Sequence, residues 1–319
     1  GINAEYGEFN MEFIANRYKL TGQLLGKGAN GVVALAYDTQ DGELVAIKQI
    51  NKLLTKDIKS VMREISIISK CHHENIISFK NYHEDSEFIY IIQEIATGGE
   101  LFRHIVKRKY YTEYHAKVFV RQLLSALNYL HSNNVIHLDI KPENILLKSI
   151  PDDYDKNDVF KPIIKLSDFG LSQIYNPQVQ LKQSGGTPGY AAPEVLKRQI
   201  IDPKADIYSV GVVVHCLLTG QLPFNGYNIK EIVSNQLKNN WSFKMEISPQ
   251  AQFFIKSCLD QDHSKRPNVQ QLLQFDWLQT SGIKLIKELN LGREQLKKYL
   301  CMQKLRMGMQ YVLFLINEE

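Results

Sequence analysis

The sequence predicts an α+β chain in two parts, a small antiparallel β-rich lobe with one main helix followed by a larger, mainly helical lobe. Between Tyr18 and Ile50, apolar and polar residues alternate around the turn Asp38-Thr39-Gln40-Asp41-Gly42, the pattern of three short antiparallel strands. Ile58, Val61, Met62, Ile65 and Ile68 then recur at helical spacing, which predicts one helix over Ile58–Lys70 packed on that sheet. Phe88–Ile95 reads as a buried strand leading to a hinge at Thr97-Gly98-Gly99. Beyond it the periodicity is helical, over Glu113–Ser132, Pro203–Thr219, Ile229–Asn239 and Pro249–Leu259. The polar run Pro151–Pro162 belongs at the tip of a hairpin. Asp153-Tyr154-Asp155-Lys156-Asn157-Asp158 begins like a calcium loop, but Asp158 replaces its turn glycine and Ile164 its bidentate glutamate, so a solvated acidic hairpin is the better account.

Composition narrows the function classes. With 319 residues, 44% hydrophobic and 23% charged, the chain has the length and apolar content for one large domain or two lobes. A net charge of +4 without a long Lys/Arg run gives no nucleic-acid footprint. Cys71, Cys216, Cys258 and Cys301 lack the spacing of a zinc site or a disulfide framework, which points to a reducing, cytoplasmic setting. The apolar stretch Met309–Ile316 is far shorter than the roughly 20 residues of a membrane span. The N-terminus lacks the basic-then-apolar layout of a signal peptide.

Four motifs carry chemistry. Gly26-Lys27-Gly28-Ala29-Asn30-Gly31-Val32-Val33 lies between two predicted strands, where a backbone without side chains can fold over phosphates; a dinucleotide site would need a helix after it, whereas Val32–Tyr37 is β-like. Val45-Ala46-Ile47-Lys48 follows on the next strand. His137-Leu138-Asp139-Ile140-Lys141-Pro142-Glu143-Asn144, then Asp168-Phe169-Gly170, supply a candidate base, a cation and two candidate metal ligands in the order needed for phosphoryl transfer to a hydroxyl. On these residues the chain resembles the eukaryotic protein kinase family.

The resemblance implies a bilobal kinase fold, with ATP and Mg²⁺ as cofactors. It assigns Gly26, Lys27, Gly28, Ala29, Asn30 and Gly31 to the phosphates, and pairs Lys48 with Glu64 when the helix is swung inward. Val33, Ala46 and Leu146 would sandwich the adenine; Gln93 would limit access behind it, and Glu94 and Ile95 would begin the hinge contacts. Asp139 would accept a hydrogen bond from the substrate hydroxyl, Lys141 would neutralise charge on the transferred group, and Asn144 and Asp168 would be the metal ligands. Glu100 and Glu143 join the nucleotide site and also match acidic positions that recognise a basic residue upstream of the acceptor; a ribose bond from Glu100 is an alternative that does not exclude this role. His137 is assigned packing under Asp168-Phe169-Gly170, Glu194 a buried ion pair with Arg266, Asp206 a bracing role, and Thr187 a bridge between Asp139 and Lys141.

One departure bears on control. Leu138 stands where many family members carry the arginine that clamps a phosphorylated activation loop, and leucine cannot pair with phosphate. The expectation is weak dependence on phosphate at Ser172 or Ser184. Lys141 and Thr187-Pro188-Gly189-Tyr190 favour Ser/Thr over Tyr substrates by resemblance. Gly98-Gly99-Glu100-Leu101-Phe102, the octapeptide and Asp276-Trp277-Leu278 together resemble the calcium/calmodulin-dependent kinase group, including its calcium-dependent branch.

The expected organisation is an N-terminal extension at 1–17, a kinase domain at 18–278 with lobes 18–95 and 96–278, and a tail at 279–319. The tail is basic and amphipathic around Leu296-Lys297-Lys298-Tyr299-Leu300, then apolar from Tyr311 to Ile316. It suits an autoinhibitory or calmodulin-binding helix, or equally a helix docked on the large lobe or in a dimer. Protein substrates, with calmodulin or a calcium-sensing module, are the partners in view. The rival readings are a pseudokinase scaffold, disfavoured by the presence of Lys48, Glu64, Asp139, Asn144 and Asp168, and a small-molecule phosphotransferase, disfavoured by Ala192-Pro193-Glu194.

Overall fold

Short strands rich in Val, Ile and Ala need a partner surface, and in the N-terminal part they find it in one another. The computed structural model describes residues 11–28, 31–107, 112–149, 162–183 and 185–279; the chain forms two compact units that divide after Ala96. In the first, β1 (Phe13–Ile14), β2 (Tyr18–Gly28), β3 (Gly31–Asp38), β4 (Leu44–Asn51), β5 (Phe79–Glu84) and β6 (Phe88–Gln93) make an antiparallel sheet in the order β1-β2-β3-β4-β6-β5. Ile14, Tyr18, Ala36, Val45, Ile47, Tyr90 and Ile92 form a core cluster. The turn from β3 to β4 is fixed by the buried Asp38, which accepts Arg17 Nε at 2.9 Å, Arg17 Nη2 at 2.8 Å and the amide of Gln40 at 3.0 Å. The Arg17 hydrogen bond is the main reason the Asp38 carboxyl sits below its ordinary pKa. Gly42, at φ +76°, closes the turn by donating to Asp38 O at 2.7 Å.

Helix α1 (Ile58–Ile68) starts where Asp57 accepts the amide of Ser60 at 3.1 Å. Its buried side holds Val61, Ile65, Ile67 and Ile68 together with Glu64. Ile58 and Met62, expected on the packed face, are instead 37% and 41% exposed, because rotation of the helix gives Glu64 the inward position. The helix ends two residues before Lys70, where Ser69 to Cys71 turn back on Ile65, Ile67 and Ile68.

The second unit begins with β7 (Gly99–Glu100), α2 (Leu101–Lys107), α3 (Glu113–Ser132), β8 (Val135–Ile136), β9 (Ile145–Leu147), β10 (Ile164–Leu166) and β11 (Gln173–Ile174). It continues with α4 (Pro193–Leu196), α5 (Lys204–Thr219), α6 (Ile229–Leu237), α7 (Pro249–Cys258), α8 (Val269–Leu273) and α9 (Asp276–Gln279). β9 and β10 are the antiparallel arms on either side of the polar insertion, whose tip at 150–161 lies outside the described residues. α3 has the expected bounds, whereas α6 stops two residues short of Asn239, which takes φ +52°.

Helix α5 is apolar on all sides, and every residue from Ala205 to Thr219 is buried, so it forms the centre of this unit. Gly211 permits its contact with α7: a Cβ there would stand 2.5 Å from Cys258 Cβ. Gly220 ends the helix in the left-handed region, at φ +70°. Cys216 and Cys258 are buried free thiols whose pKa values burial pushes up, making them packing residues. The buried Glu113 accepts Ser248 N at 3.1 Å, Ser248 Oγ at 2.6 Å and Trp277 Nε1 at 2.9 Å, tying the start of α3 to α7 and α9. Arg121 adds a bond to Leu278 O. Among the described residues no helix is long and apolar enough to cross a membrane.

Candidate active site

The first unit holds the glycine-rich loop between β2 and β3 and the lysine on β4. β2 and β3 pair through Gly26↔Val33, Lys27↔Val32 and Gly28↔Gly31; Ala29 and Asn30 lie outside the described residues. Gly31 is required by close approach, since a Cβ there would collide with Gln49 O. Val33 faces Lys48 across the sheet, and Ala46 is buried one turn of the pleat away. Lys48 Nζ donates to Glu64 Oε1 at 3.2 Å, with 18% and 9% of the two side chains exposed. The pair expected between strand and helix is therefore formed, and it holds the ammonium in one place. Glu94 donates its own N–H to Ser78 O at 2.8 Å, and its carboxylate accepts Ser78 N at 3.0 Å.

The second unit holds the candidate transfer residues on the loop between β8 and β9. Asp206, on α5 and fully buried, accepts the amides of His137 and Leu138, both at 2.9 Å, and His131 Nε2 at 2.8 Å. These bonds, led by His131, keep its carboxyl below the ordinary pKa against the opposing effect of burial. They also hold Leu138 at φ +65°, a conformation that β-carbon sterics disfavour. His137 accepts the amide of Asp139 at Nδ1, 3.1 Å, so its proton sits on Nε2, which donates to Ser167 O at 3.0 Å. Its ring meets Phe169 edge-on at 4.9 Å. His137 thus packs beneath the Asp168-Phe169-Gly170 turn, as expected.

Asp139 and Lys141 converge on Thr187. Lys141 Nζ donates to Thr187 Oγ1 at 3.0 Å, Thr187 Oγ1 donates to Asp139 Oδ1 at 3.4 Å, and the ammonium lies 3.6 Å from the same carboxylate oxygen. Asn144 donates Nδ2 to Asp139 O at 2.8 Å, which orients its amide oxygen as the acceptor. Its backbone oxygen takes the amide of Ser167 at 2.9 Å, joining this loop to the segment that carries Asp168. Asp168, at φ +60°, accepts the amide of Gly170 at 3.0 Å. Two oxygen-bearing side chains on bonded segments fit Mg²⁺, a hard cation that takes few protein oxygens and keeps water and phosphate ligands.

Leu146, on β9, pairs with Glu100 on β7. Glu100 lies 3.3 Å from Arg103. Burial raises the Glu143 carboxyl above its ordinary pKa; its own backbone hydrogen bond and Lys141 oppose the rise, and the charge of Glu100 adds to it. Glu143 Oε2 is buried without a hydrogen-bond partner.

The scaffold around the activation segment is more extensive than the sequence indicates. Arg266 and Glu194 form a buried fork at 2.7 and 2.9 Å, as expected. Ser172 is 1% exposed and its hydroxyl donates to His137 O at 3.0 Å, which places it inside the fold. Ser184 lies outside the described residues. Two contributors are not assigned from the sequence: His131, behind Asp206, and Gln236 on α6, which bonds Gly189 and Ala191. The only hint for His131 is its position in the last turn of a predicted helix.

Residues 20–278 match the model of the protein kinase domain. Myosin light chain kinase A of Dictyostelium discoideum is 38% identical over 264 residues, covering 81% of this chain and 87% of that protein. Calcium-dependent protein kinase 3 of Plasmodium yoelii yoelii is 38% identical over 265 residues, 82% of this chain but 48% of its own length. Myosin light chain kinase 2, skeletal/cardiac muscle, of Mus musculus is 35% identical over 282 residues, 87% of this chain and 44% of its length. The chain thus spans about half of the latter two relatives. By its fold, its motifs and these relatives, the chain belongs to the protein kinase family, in the calcium/calmodulin-dependent-like group of Ser/Thr kinases.

Proposed function

We propose that this chain is an active Ser/Thr protein kinase that transfers the γ-phosphate of ATP to hydroxyl groups of protein substrates with a basic residue upstream of the acceptor. The observation that carries the reading is the triad of Asp139, Thr187 and Lys141, in which the carboxylate already accepts a hydrogen bond from a β-hydroxyl while the ammonium stands beside it. A substrate hydroxyl presented to Asp139 is oriented by the same acceptor. As its oxygen bonds to phosphorus and the bond to ADP breaks, the proton passes to Asp139 and Lys141 offsets charge on the transferred group. Asn144 and Asp168 would hold Mg²⁺, which when bound neutralises phosphate charge. Lys48, oriented by Glu64, would serve the α- and β-phosphates, a role shared with Gly26, Lys27, Gly28, Ala29, Asn30 and Gly31, and Val33, Ala46 and Leu146 are the residues assigned to the adenine.

The buried, unpartnered Glu143 Oε2 near the charge of Glu100 supports basic-residue recognition, because a guanidinium would satisfy the one and neutralise both. The test is turnover of ATP with an Arg-containing peptide, comparing wild type with Asp139→Asn, with and without calcium and calmodulin. Loss of a catalytic base costs about 10² to 10⁴ in rate; equal turnover by the two proteins refutes the reading. A peptide array without preference for Arg or Lys before the acceptor removes the basic-residue specificity. A calcium/calmodulin response that survives truncation after Gln279 removes the tail from regulation.

A further inference from the structure

We infer that Gln236 is a positioning residue for the protein substrate, setting the backbone turn that lies beside the acceptor hydroxyl. This rests on the protein-kinase reading above. Gln236 is fully buried on α6, a helix otherwise amphipathic and half exposed. Its Oε1 accepts the amide of Gly189 at 2.9 Å, and its Nε2 donates to the carbonyl of Ala191 at 3.2 Å. One side-chain amide therefore pairs with a backbone N–H and a backbone C=O two residues apart, as a neighbouring strand would.

The segment it grips is a turn held from several sides, and Gln236 is the side chain that bonds both its start and its end. Gly189 stands at φ +92°, and Tyr190 is fixed by Ser209 Oγ, which donates to its carbonyl at 2.7 Å. The turn starts at Thr187, whose carbonyl takes the amides of Tyr190 and Ala191 at 3.0 and 2.9 Å, and whose hydroxyl is bonded to Asp139 and Lys141. A shift at 189–191 is thereby passed to the place where an acceptor residue must lie. Leu222 and Ile232, within 4 Å of where a Cβ on Gly189 would stand, give this turn an apolar floor. Gln236 itself is held from behind, its carbonyl accepting Gln261 Nε2 at 3.2 Å, and the Tyr208 hydroxyl is the titratable group facing its amide, at 3.5 Å.

The experiment compares wild type, Gln236→Met and Gln236→Glu in peptide phosphorylation at pH 8 and pH 6, with KM measured separately for peptide and for ATP. Met keeps the length and removes both bonds; Glu keeps the acceptor and loses the donor until it is protonated, which burial favours at the lower pH. The expected result is a peptide KM raised about tenfold in both variants at pH 8, with KM for ATP within about twofold, and recovery toward wild type at pH 6 for Glu but not for Met. A peptide KM unchanged in both variants overturns the inference, as does a parallel rise in KM for ATP, which would mark general loosening of the fold. If Gln236→Met fails to fold, the pH dependence of Gln236→Glu relative to wild type decides alone. Wild type that hydrolyses ATP but phosphorylates no peptide refutes the underlying kinase reading, and is distinguishable because it is seen before any variant is made.

Discussion

Acidification is expected to destabilise the second unit through His215. The ring is 3% exposed, stacks on Phe243 at 5.8 Å and meets Trp241 edge-on at 6.0 Å. Nδ1 lies 2.7 Å from Gln221 O, while Nε2 is buried without a partner. Burial lowers its pKa from 6.5 to about 4, only partly opposed by the bond to Gln221. A histidine with a lower pKa folded than unfolded binds fewer protons in the folded state. Stability therefore falls as pH drops below the unfolded value of 6.5, and the loss saturates below about 4. Between pH 7 and pH 5 this linkage amounts to roughly 2 kcal/mol. The assay is urea unfolding followed by tryptophan fluorescence, since Trp241 and Trp277 both report on this unit, comparing wild type with His215→Gln at the two pH values. Gln retains a donor for Gln221 and does not titrate, so the difference between the two acid slopes isolates His215 whatever offset the substitution itself adds. A variant that loses as much stability on acidification as wild type would refute the reasoning.

Three further outcomes are expected. Glu194→Ala strands the buried Arg266 guanidinium and should cost about 3 to 5 kcal/mol in urea or thermal melts; a loss below about 1 kcal/mol would show that Arg266 finds another partner. Thr187→Val removes the hydroxyl between Asp139 and Lys141, and kcat should fall about tenfold or more with the melting temperature almost unchanged; full kcat would deny the bridge a role. Phosphatase treatment should leave kcat within about twofold, since Leu138 offers no clamp and Ser172 is already bonded to His137; inactivation restored by rephosphorylating Ser184 would contradict this.

What could be read from sequence was local order, and what could not was pairing across long separations. The strand lysine, the octapeptide at 137–144 and Asp168-Phe169-Gly170 are contiguous signals, and the turn at Asp38–Gly42 is legible from its own residues, although Arg17 adds to what fixes it. The Glu194–Arg266 fork and the Asp206 brace were legible only through resemblance, because their partners lie 72 and 69 residues away. Gln236 and Glu113 gave no signal, since an amide or carboxylate on an amphipathic helix reads as solvated surface until the backbone it bonds to is known. The face of α1 was misjudged at Ile58 and Met62 because five apolar residues fit more than one helical stripe, and the buried charge of Glu64 selects among them. Ala29, Asn30, the tip of the insertion and the tail lie outside the described residues.

The Glu113–Trp277 bond has a consequence for whatever follows it in the chain. Because α9 is pinned to the start of α3, a segment joined to it is attached at a fixed point of the fold. A segment tethered in this way meets its own fold at an effective concentration in the millimolar range. A weak affinity between tail and kinase unit is then enough for near-complete occupancy, and a free tail peptide added at micromolar concentration would compete poorly with the attached one.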